Sequence, residues 1–214
     1  MTKQTDLAAL AADLGDLELL VAAFQRSVGL DADGWPGAKT RAAIDALGGD
    51  PGDVPIPRTR AEIKDVYGDF AWTPGRGRSV DIDDDWEDLN IRSFTLHTGQ
   101  RRRLHRLVGA EFVELFERAC ELSGYTPKSV QTYNPRRIKP DRRSPLSMHS
   151  WGIAVDFDPN LNRWGGKLKN GARCPLAKHP EFLQVFRDAG WTCGADWRQG
   201  GGDWMHIERR APRR

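Results

Sequence analysis

The chain has 214 residues, and its 32 Lys and Arg residues nearly balance its 30 Asp and Glu residues, for a formal net charge of +2. This length allows one small module and one medium domain with its own core, while the small net charge argues against nucleic-acid binding. No apolar run is long enough to span a membrane, so we expect no membrane insertion. The three cysteines form no CxxC pair, which argues against a disulfide framework or a thiolate zinc site.

The first predicted element is a helix that begins near Asp16. Its apolar residues recur at three- and four-residue spacing, at Leu17, Leu20, Val21, Phe24 and Val28. Turn residues follow at 30–37, and a second short helix is predicted at 38–47, before two glycines. We therefore predict a small helical domain at 1–50 and a Pro-rich linker at 51–58.

The remaining residues, 59–214, are predicted to form one mixed domain. Helices are expected at 111–122 and 180–189, and strands at 129–133, 151–158 and 205–208. These elements do not alternate as repeated strand–helix–strand units. The pattern therefore predicts an α+β domain with a small antiparallel sheet flanked by helices.

Two short motifs of this domain carry groups that bind metals. Ser147 to Asp156 read SMHSWGIAVD, and Asp203 to His206 read DWMH. Two histidines and one carboxylate are natural zinc ligands, and three protein ligands leave the fourth tetrahedral position to water, as in catalytic zinc sites. Asp203 would be a free carboxylate near the metal, able to take a proton from water and return it to a leaving amine.

The placement of His149 needs a bend in the chain. Simple strand alternation puts His149 and Asp156 on opposite faces of a strand. For the two side chains to converge, His149 must lie in the turn before the strand, with Gly152 permitting the bend.

The spacing SxHxxGxAxD, followed by DxxH, resembles the family of zinc D-alanyl-D-alanine carboxypeptidases and L-alanyl-D-glutamate endopeptidases, which cleave peptide stems of bacterial peptidoglycan. The resemblance implies zinc as the cofactor, with His149, Asp156 and His206 as its ligands. It also implies that Asp203 is the catalytic base. It covers most of the predicted second domain but leaves the scissile bond open.

The same resemblance implies an arginine upstream of the first motif that contacts the substrate or the developing oxyanion. Arg136 matches best, and the adjacent Arg137 stays open as the alternative. Ser147 is either a hydrogen-bonding residue of the substrate site or a turn serine. Trp197 either walls the substrate cleft or packs in the core. Glu208 shares a strand face with His206 and either supports that ligand or lies at the surface.

The N-terminal segment has a resemblance of its own. Asp33 to Thr40 fit the DGxxGxxT turn of the three-helix peptidoglycan-binding domain, which implies peptidoglycan as the partner of both domains. Together the two resemblances suit a phage endolysin. Such a protein is made in the host cytoplasm without a signal peptide and acts on the cell wall after release. We expect it to be a monomer.

The main alternative is a non-catalytic, zinc-stabilised cell-wall-binding protein. Such silent relatives are expected to lose the base or a ligand, whereas this chain retains Asp203 and all three ligands. Two acidic segments, 81–88 and 158–162, are candidate calcium loops. Neither has the spacing of an EF-hand, which favours solvated loops.

Overall fold

The computed structural model describes residues 19, 21–32, 54–168, 170–197 and 201–212 of the chain. The chain divides into two compact units, Met1–Gly52 and Asp53–Arg214. In the first unit, residues 21–27 are helical, within the first predicted helix. The predicted turn and second helix, at 33–47, and residues 51–53 of the predicted linker lie outside the described residues. The three-helix module and the domain boundaries therefore stay predictions.

The described part of the second unit contains helices, strands and 3₁₀ turns. The helices are α1 (Arg60–Tyr67), α2 (Asp84–Asn90), α3 (Gly109–Ser123), α4 (Pro175–Lys178) and α5 (Pro180–Asp188). The strands are β1 (Trp72–Pro74), β2 (Val80–Ile82), β3 (Ile91–Thr95), β4 (Arg101–His105), β5 (Val130–Gln131), β6 (Ala154–Phe157), β7 (Thr192–Cys193) and β8 (His206–Glu208). Two 3₁₀ turns near the ends of β6 and β7 span Met148–Trp151 and Gly194–Asp196. Among the described residues, no helix is long and apolar enough to cross a bilayer.

Within the described residues, the strands form two hairpins and one four-stranded sheet. The hairpins are β1–β2 and β3–β4, and the sheet has the order β5–β6–β8–β7 with antiparallel neighbours. The predicted α+β class with a small antiparallel sheet is therefore confirmed. Strand β6 is shorter than the predicted 151–158, because Trp151 belongs to a 3₁₀ turn, Gly152 takes a φ of 67° and Asp158 takes a φ of 42°.

One face of the four-stranded sheet packs against α3 and α5. The ring of Phe157 on β6 stacks on Phe112 and Phe116 of α3, with centroids 6.2 and 6.0 Å apart. Phe182 and Phe186 of α5 contact the same ring at 4.9 and 5.7 Å. All of these side chains are fully buried, and each buried Phe contributes about 1.5–3 kcal/mol to the free energy of unfolding. This aromatic layer fixes the sheet that carries the candidate site on its opposite face.

Helix α3 follows from its apolar spacing and its terminal glycine. Phe112, Phe116 and Cys120 recur every four residues and are buried. The helix ends at Gly124, whose φ of 65° and N–H bond to the carbonyl of Cys120 make a left-handed cap.

Gly152 is the bend that the sequence requires between His149 and β6. It has a φ of 67° and caps the 3₁₀ turn through a bond from its N–H to the carbonyl of His149. A Cβ at this position would lie 2.7 Å from the backbone nitrogen of His105 and 2.9 Å from Cδ1 of Ile91. The position therefore excludes other residues both by its backbone angle and by its crowding.

We expect Gly152→Ala to lower the free energy of unfolding by about 3 kcal/mol or more, since a left-handed angle and an overpacked side chain both contribute. Gly124→Ala is the matched control, because its φ is 65° and a Cβ there would meet nothing within 4 Å. The control should lose only about 1 kcal/mol. Chemical denaturation measures both, and equal losses would show that crowding at Gly152 is unimportant.

Candidate metal centre

Three side chains that are distant in sequence meet at one point of the second unit. His149 comes from the 3₁₀ turn, Asp156 from β6 and His206 from β8. Each offers one ligand atom, and these atoms all lie within 4.8 Å of one another. The antiparallel register sets Asp156 directly opposite His206, which brings together two residues separated by 50 positions.

His149 is held by a backbone carbonyl. Its Nδ1 lies 2.7 Å from the carbonyl oxygen of Thr132, which can only accept, so Nδ1 donates. Nε2 is the ring nitrogen left to face the group, and it lies 3.1 Å from Oδ2 of Asp156. The side chain is buried. A buried ring nitrogen that faces a carboxylate, with the other ring nitrogen held by a carbonyl, is the arrangement that a metal ion completes.

His206 is held between two carboxylates. Its Nδ1 lies 2.9 Å from Oδ1 of Asp156, and its Nε2 lies 3.3 Å from Oε2 of Glu208. Burial alone would lower the pKa of His206, but hydrogen bonds to the two carboxylates outweigh it and raise the pKa to about 10. Glu208 is 4% exposed. It therefore supports His206 and is not a surface residue, which decides between the two interpretations of Glu208.

Asp156 is the anionic member of the group. Burial by itself would raise its pKa, but hydrogen bonds with His149 and His206 hold the pKa well below the usual range of an aspartate. The carboxylate therefore stays ionised. Two imidazoles and one ionised carboxylate form a donor set that suits zinc, so the residues present fit the metal that the sequence predicts.

Asp203 lies beside this group, three residues before His206 on the chain. Its backbone N–H donates to the carbonyl of Gly194 at 2.8 Å, and its own carbonyl accepts from the N–H of His206 at 3.1 Å. A Cβ on Gly194 would lie 2.5 Å from that carbonyl oxygen of Asp203, so only glycine permits this approach. Burial raises the pKa of Asp203, and the charges that act on it are those of His206, Asp156, His149 and Arg136.

Arg136 is the arginine that reaches the group. Its Nη2 lies 4.0 Å from Oδ2 of Asp156. Arg137 instead donates from Nη2 to the carbonyl of Gly77 at 2.8 Å and is buried. Of the two arginines that the sequence leaves open, the structure therefore brings Arg136 to the metal group and uses Arg137 to hold a loop.

Residues 141–209 match the family model described as D-alanyl-D-alanine carboxypeptidase. The chain is thus similar to that family over the stretch that holds His149, Asp156, Asp203 and His206. Arg136 and the whole first unit lie outside the match. No curated protein matches the chain, and neither does any solved structure.

Two further predicted residues lie close to the group. Ser147 is buried just before the 3₁₀ turn, and its N–H donates to the carbonyl of Arg136 at 2.8 Å. The ring of Trp197 is half-buried, and its centroid lies 5.3 Å from that of His206. Trp197 therefore lies against a proposed ligand. The ring of Trp164 is exposed, and its centroid lies 6.3 Å from that of Trp197. Substrate contact by Ser147 and Trp197 stays a prediction.

Sequence reasoning missed Ser150 and Thr132. Ser150 Oγ accepts from the N–H of Arg136 at 2.9 Å and donates to the carbonyl of Arg136 at 3.0 Å, which fixes that backbone beside the site. Thr132 supplies the carbonyl that orients His149. The signal for Ser150 was its place within the first motif. Thr132 lay in a predicted strand but gave no signal, because it acts through its backbone.

The two candidate calcium loops use their carboxylates within the fold. Asp83 accepts the N–H of Trp86 and caps α2, and Glu87 pairs with Arg103. Asp158 accepts from the hydroxyl of Tyr125 at 2.5 Å and from the N–H of Ser129 at 2.7 Å. These bonds give Asp83, Glu87 and Asp158 structural roles, and Asp158 is buried, which differs from the solvated loop expected for its segment.

Proposed function

We propose that the protein is a zinc peptidase that hydrolyses an amide bond in the stem peptide of bacterial peptidoglycan. The observation that carries this proposal is the group of His149, Asp156 and His206, with ligand atoms within 4.8 Å of one another and Asp203 beside them. The stretch that contains all four residues is also the stretch similar to D-alanyl-D-alanine carboxypeptidases.

The three side chains of the group would hold the zinc. Bound there, the ion would supply Lewis-acid chemistry, which polarises the scissile carbonyl and makes a water molecule more acidic. His149 presents Nε2 and His206 presents Nδ1, because the other nitrogen of each ring is occupied by Thr132 and Glu208 respectively. The ionised carboxylate of Asp156 offsets part of the positive charge of the metal.

Asp203 moves the proton. As a carboxylate it accepts a proton from the attacking water and then delivers it to the nitrogen of the leaving amine. Its raised pKa, caused by burial, brings the group closer to neutral pH and makes the return of the proton easier. The guanidinium of Arg136 donates hydrogen bonds to the oxygen that gains negative charge as the carbonyl is attacked.

The proposal extends to the role of the protein in the cell. We assign the activity to an endopeptidase of the endolysin type, which accumulates in the cytoplasm of the host and reaches the wall once the membrane is opened. The sequence feature that supports this role is the DGxxGxxT motif at Asp33 to Thr40. Residues 1–50 would hold the enzyme on the wall.

Digestion of purified peptidoglycan tests the function and names the bond. Mass spectrometry of the soluble fragments should show new amino termini within the stem peptide and intact sugar linkages. If the wall binds the protein but the fragments stay unchanged, the non-catalytic wall-binding alternative is correct.

Arg136→Ala is expected to lower the turnover number on the order of 10²-fold, the scale of losing one donor to a developing oxyanion. Arg137→Ala is the matched control, because its guanidinium bonds to the carbonyl of Gly77. The control should lower the free energy of unfolding by about 1–3 kcal/mol and leave turnover unchanged. Steady-state kinetics on a soluble stem peptide measure both turnover numbers. A loss of turnover in Arg137→Ala and not in Arg136→Ala would assign the substrate contact to Arg137.

Deletion of residues 1–50 should weaken wall association more than it weakens chemistry, because a tethered binding module acts by raising local concentration. The second unit, Asp53–Arg214, is compact by itself and holds the whole metal group. Pull-down on cell walls is compared with hydrolysis of a soluble stem peptide. Loss of the soluble activity in the shortened protein would mean that the two units function as one.

A further inference from the structure

A second carboxylate lies behind the metal group, on the side of His206 that faces away from Asp156. Glu208 is two residues after His206 on β8, so both side chains project from the same face of the sheet. Oε2 of Glu208 lies 3.3 Å from Nε2 of His206. On β6, the residue opposite Glu208 is Ala154, whose small side chain leaves room for a carboxylate within the sheet.

An arginine lies on the far side of that carboxylate. Nε of Arg210 is 3.2 Å from Oε1 of Glu208, and the side chains of both residues are only 5% exposed. The hydroxyl of Thr192 on β7 donates to the carbonyl of Arg210, which fixes the backbone just after β8. The order Arg210, Glu208, His206 therefore forms a continuous buried line of charged and polar groups that ends at a proposed ligand.

The direction of hydrogen bonding along this line decides which ring nitrogen of His206 is available to a metal. An ionised carboxylate only accepts, so Nε2 of His206 must carry the hydrogen that it shares with Glu208. By the same argument Nδ1 donates to the ionised Asp156, so Nδ1 is the nitrogen that can exchange its proton for a metal on the side of Asp156 and His149. A carboxylate this deeply buried is unfavourable without an opposite charge, and Arg210 supplies that charge.

We propose that Arg210 is a positioning residue that acts through Glu208 to hold the ring of His206 with Nδ1 directed at the metal site. The proposal rests on the zinc site of the proposed function. It extends to Arg210 the rule that a metal-binding histidine is oriented by a partner on its other nitrogen.

The adjacent arginine offers a matched control. Nε of Arg209 lies 3.0 Å from Oε2 of Glu111 on α3, and Nη1 donates to the carbonyl of Ala189 at 2.9 Å. Arg209 is as buried as Arg210, and it also pairs with a glutamate. However, the glutamate that pairs with Arg209 lies on α3, and it is not the partner of a proposed metal ligand. Loss of either arginine should therefore cost stability, but only loss of Arg210 should affect the metal.

The test measures zinc affinity of the full-length protein by competition with a chelating dye. Arg210→Met should weaken zinc binding about 10- to 100-fold, the range for partners that orient a ligand. Glu208→Ala should have a similar effect, and the double variant should be no worse than Glu208→Ala alone, because Arg210 acts only through Glu208. Arg209→Met should lower the melting temperature and keep the zinc affinity of the parent.

Two additional measurements keep the test decisive. Arg210→Lys retains the charge and should recover most of the zinc affinity, which also serves if Arg210→Met folds poorly. In nitrogen-15 NMR spectra of the zinc-loaded parent, His206 should show a slowly exchanging N–H at Nε2, and Glu208→Ala should lose this signal.

The proposal is overturned if Arg210→Met binds zinc as tightly as Arg209→Met, or if the effects of Arg210→Met and Glu208→Ala add fully. A parent protein that binds no zinc overturns the proposed function as well. A parent that binds zinc, with variants that bind it equally well, overturns only the role of Arg210.

Discussion

Asp203→Asn is expected to lower the rate of stem-peptide hydrolysis by on the order of 10²- to 10⁴-fold, the range typical of general acid–base catalysis. Asparagine keeps the size of the side chain but cannot accept the proton of the attacking water. Zinc content should stay close to that of the parent, because the ligand atoms belong to His149, Asp156 and His206. Turnover and zinc content are measured on the same preparation.

Asp196→Asn is the matched control for this substitution. Asp196 lies in the 3₁₀ turn that begins at Gly194, and its carboxylate forms an exposed ion pair with Arg187 at 2.9 Å. Exposed pairs contribute little, so the control should keep its rate and nearly all of its stability. Near-parental hydrolysis by Asp203→Asn would reject Asp203 as the base. In that case Asp203 would only stabilise the turn before β8 through its backbone hydrogen bonds.

His149→Ala is expected to abolish hydrolysis and to weaken zinc binding more than about 10²-fold, beyond the loss expected for a residue that only orients a ligand. The substitution removes one of three proposed ligands from a site that is built before the metal binds. It also frees the carbonyl of Thr132, so some loss of stability should accompany the loss of metal. Metal analysis and a chelator titration measure the effect.

His105→Gln separates the loss of a ligand from the loss of a buried histidine. His105 is fully buried, with Nε2 3.1 Å from the carbonyl of Tyr67 and Nδ1 accepting the N–H of Leu107. Burial lowers the pKa of His105 to about 3, so the ring is neutral and both nitrogens are already used. This control should lose stability and keep its zinc. Full zinc retention by His149→Ala would remove this histidine from the ligand set.

The sequence predicted the site better than its surroundings. The motif spacing named three side chains that the structure brings within ligand distance of one another, and the required bend at Gly152 is present. These features were accessible because each depends on local geometry, such as strand alternation or the freedom of a glycine backbone. The helix around Phe112 was predicted from its apolar residues, and the helix around Phe182 was predicted from Pro180 at its start and Gly190 after its end.

The supporting contacts could not be predicted, because they depend on which distant backbone groups meet. Thr132 orients His149 through a carbonyl, which carries no side-chain signal. All four residues of β6 are buried, so both faces of the strand are covered. The face of Asp156 is contacted by His206 and Arg136, which lie far away along the chain, and the period of one strand carries no information about them.

Zinc dependence is tested most directly by a cycle of metal removal and return during hydrolysis of purified peptidoglycan by the full-length protein. Released amino groups are counted before chelation, after chelation, and during stepwise addition of zinc. Chelation is expected to stop the release of amines, and activity is expected to return fully at about one zinc per chain, the capacity of a site with three protein ligands. Hydrolysis that continues unchanged in the fully chelated protein would contradict the proposed zinc peptidase.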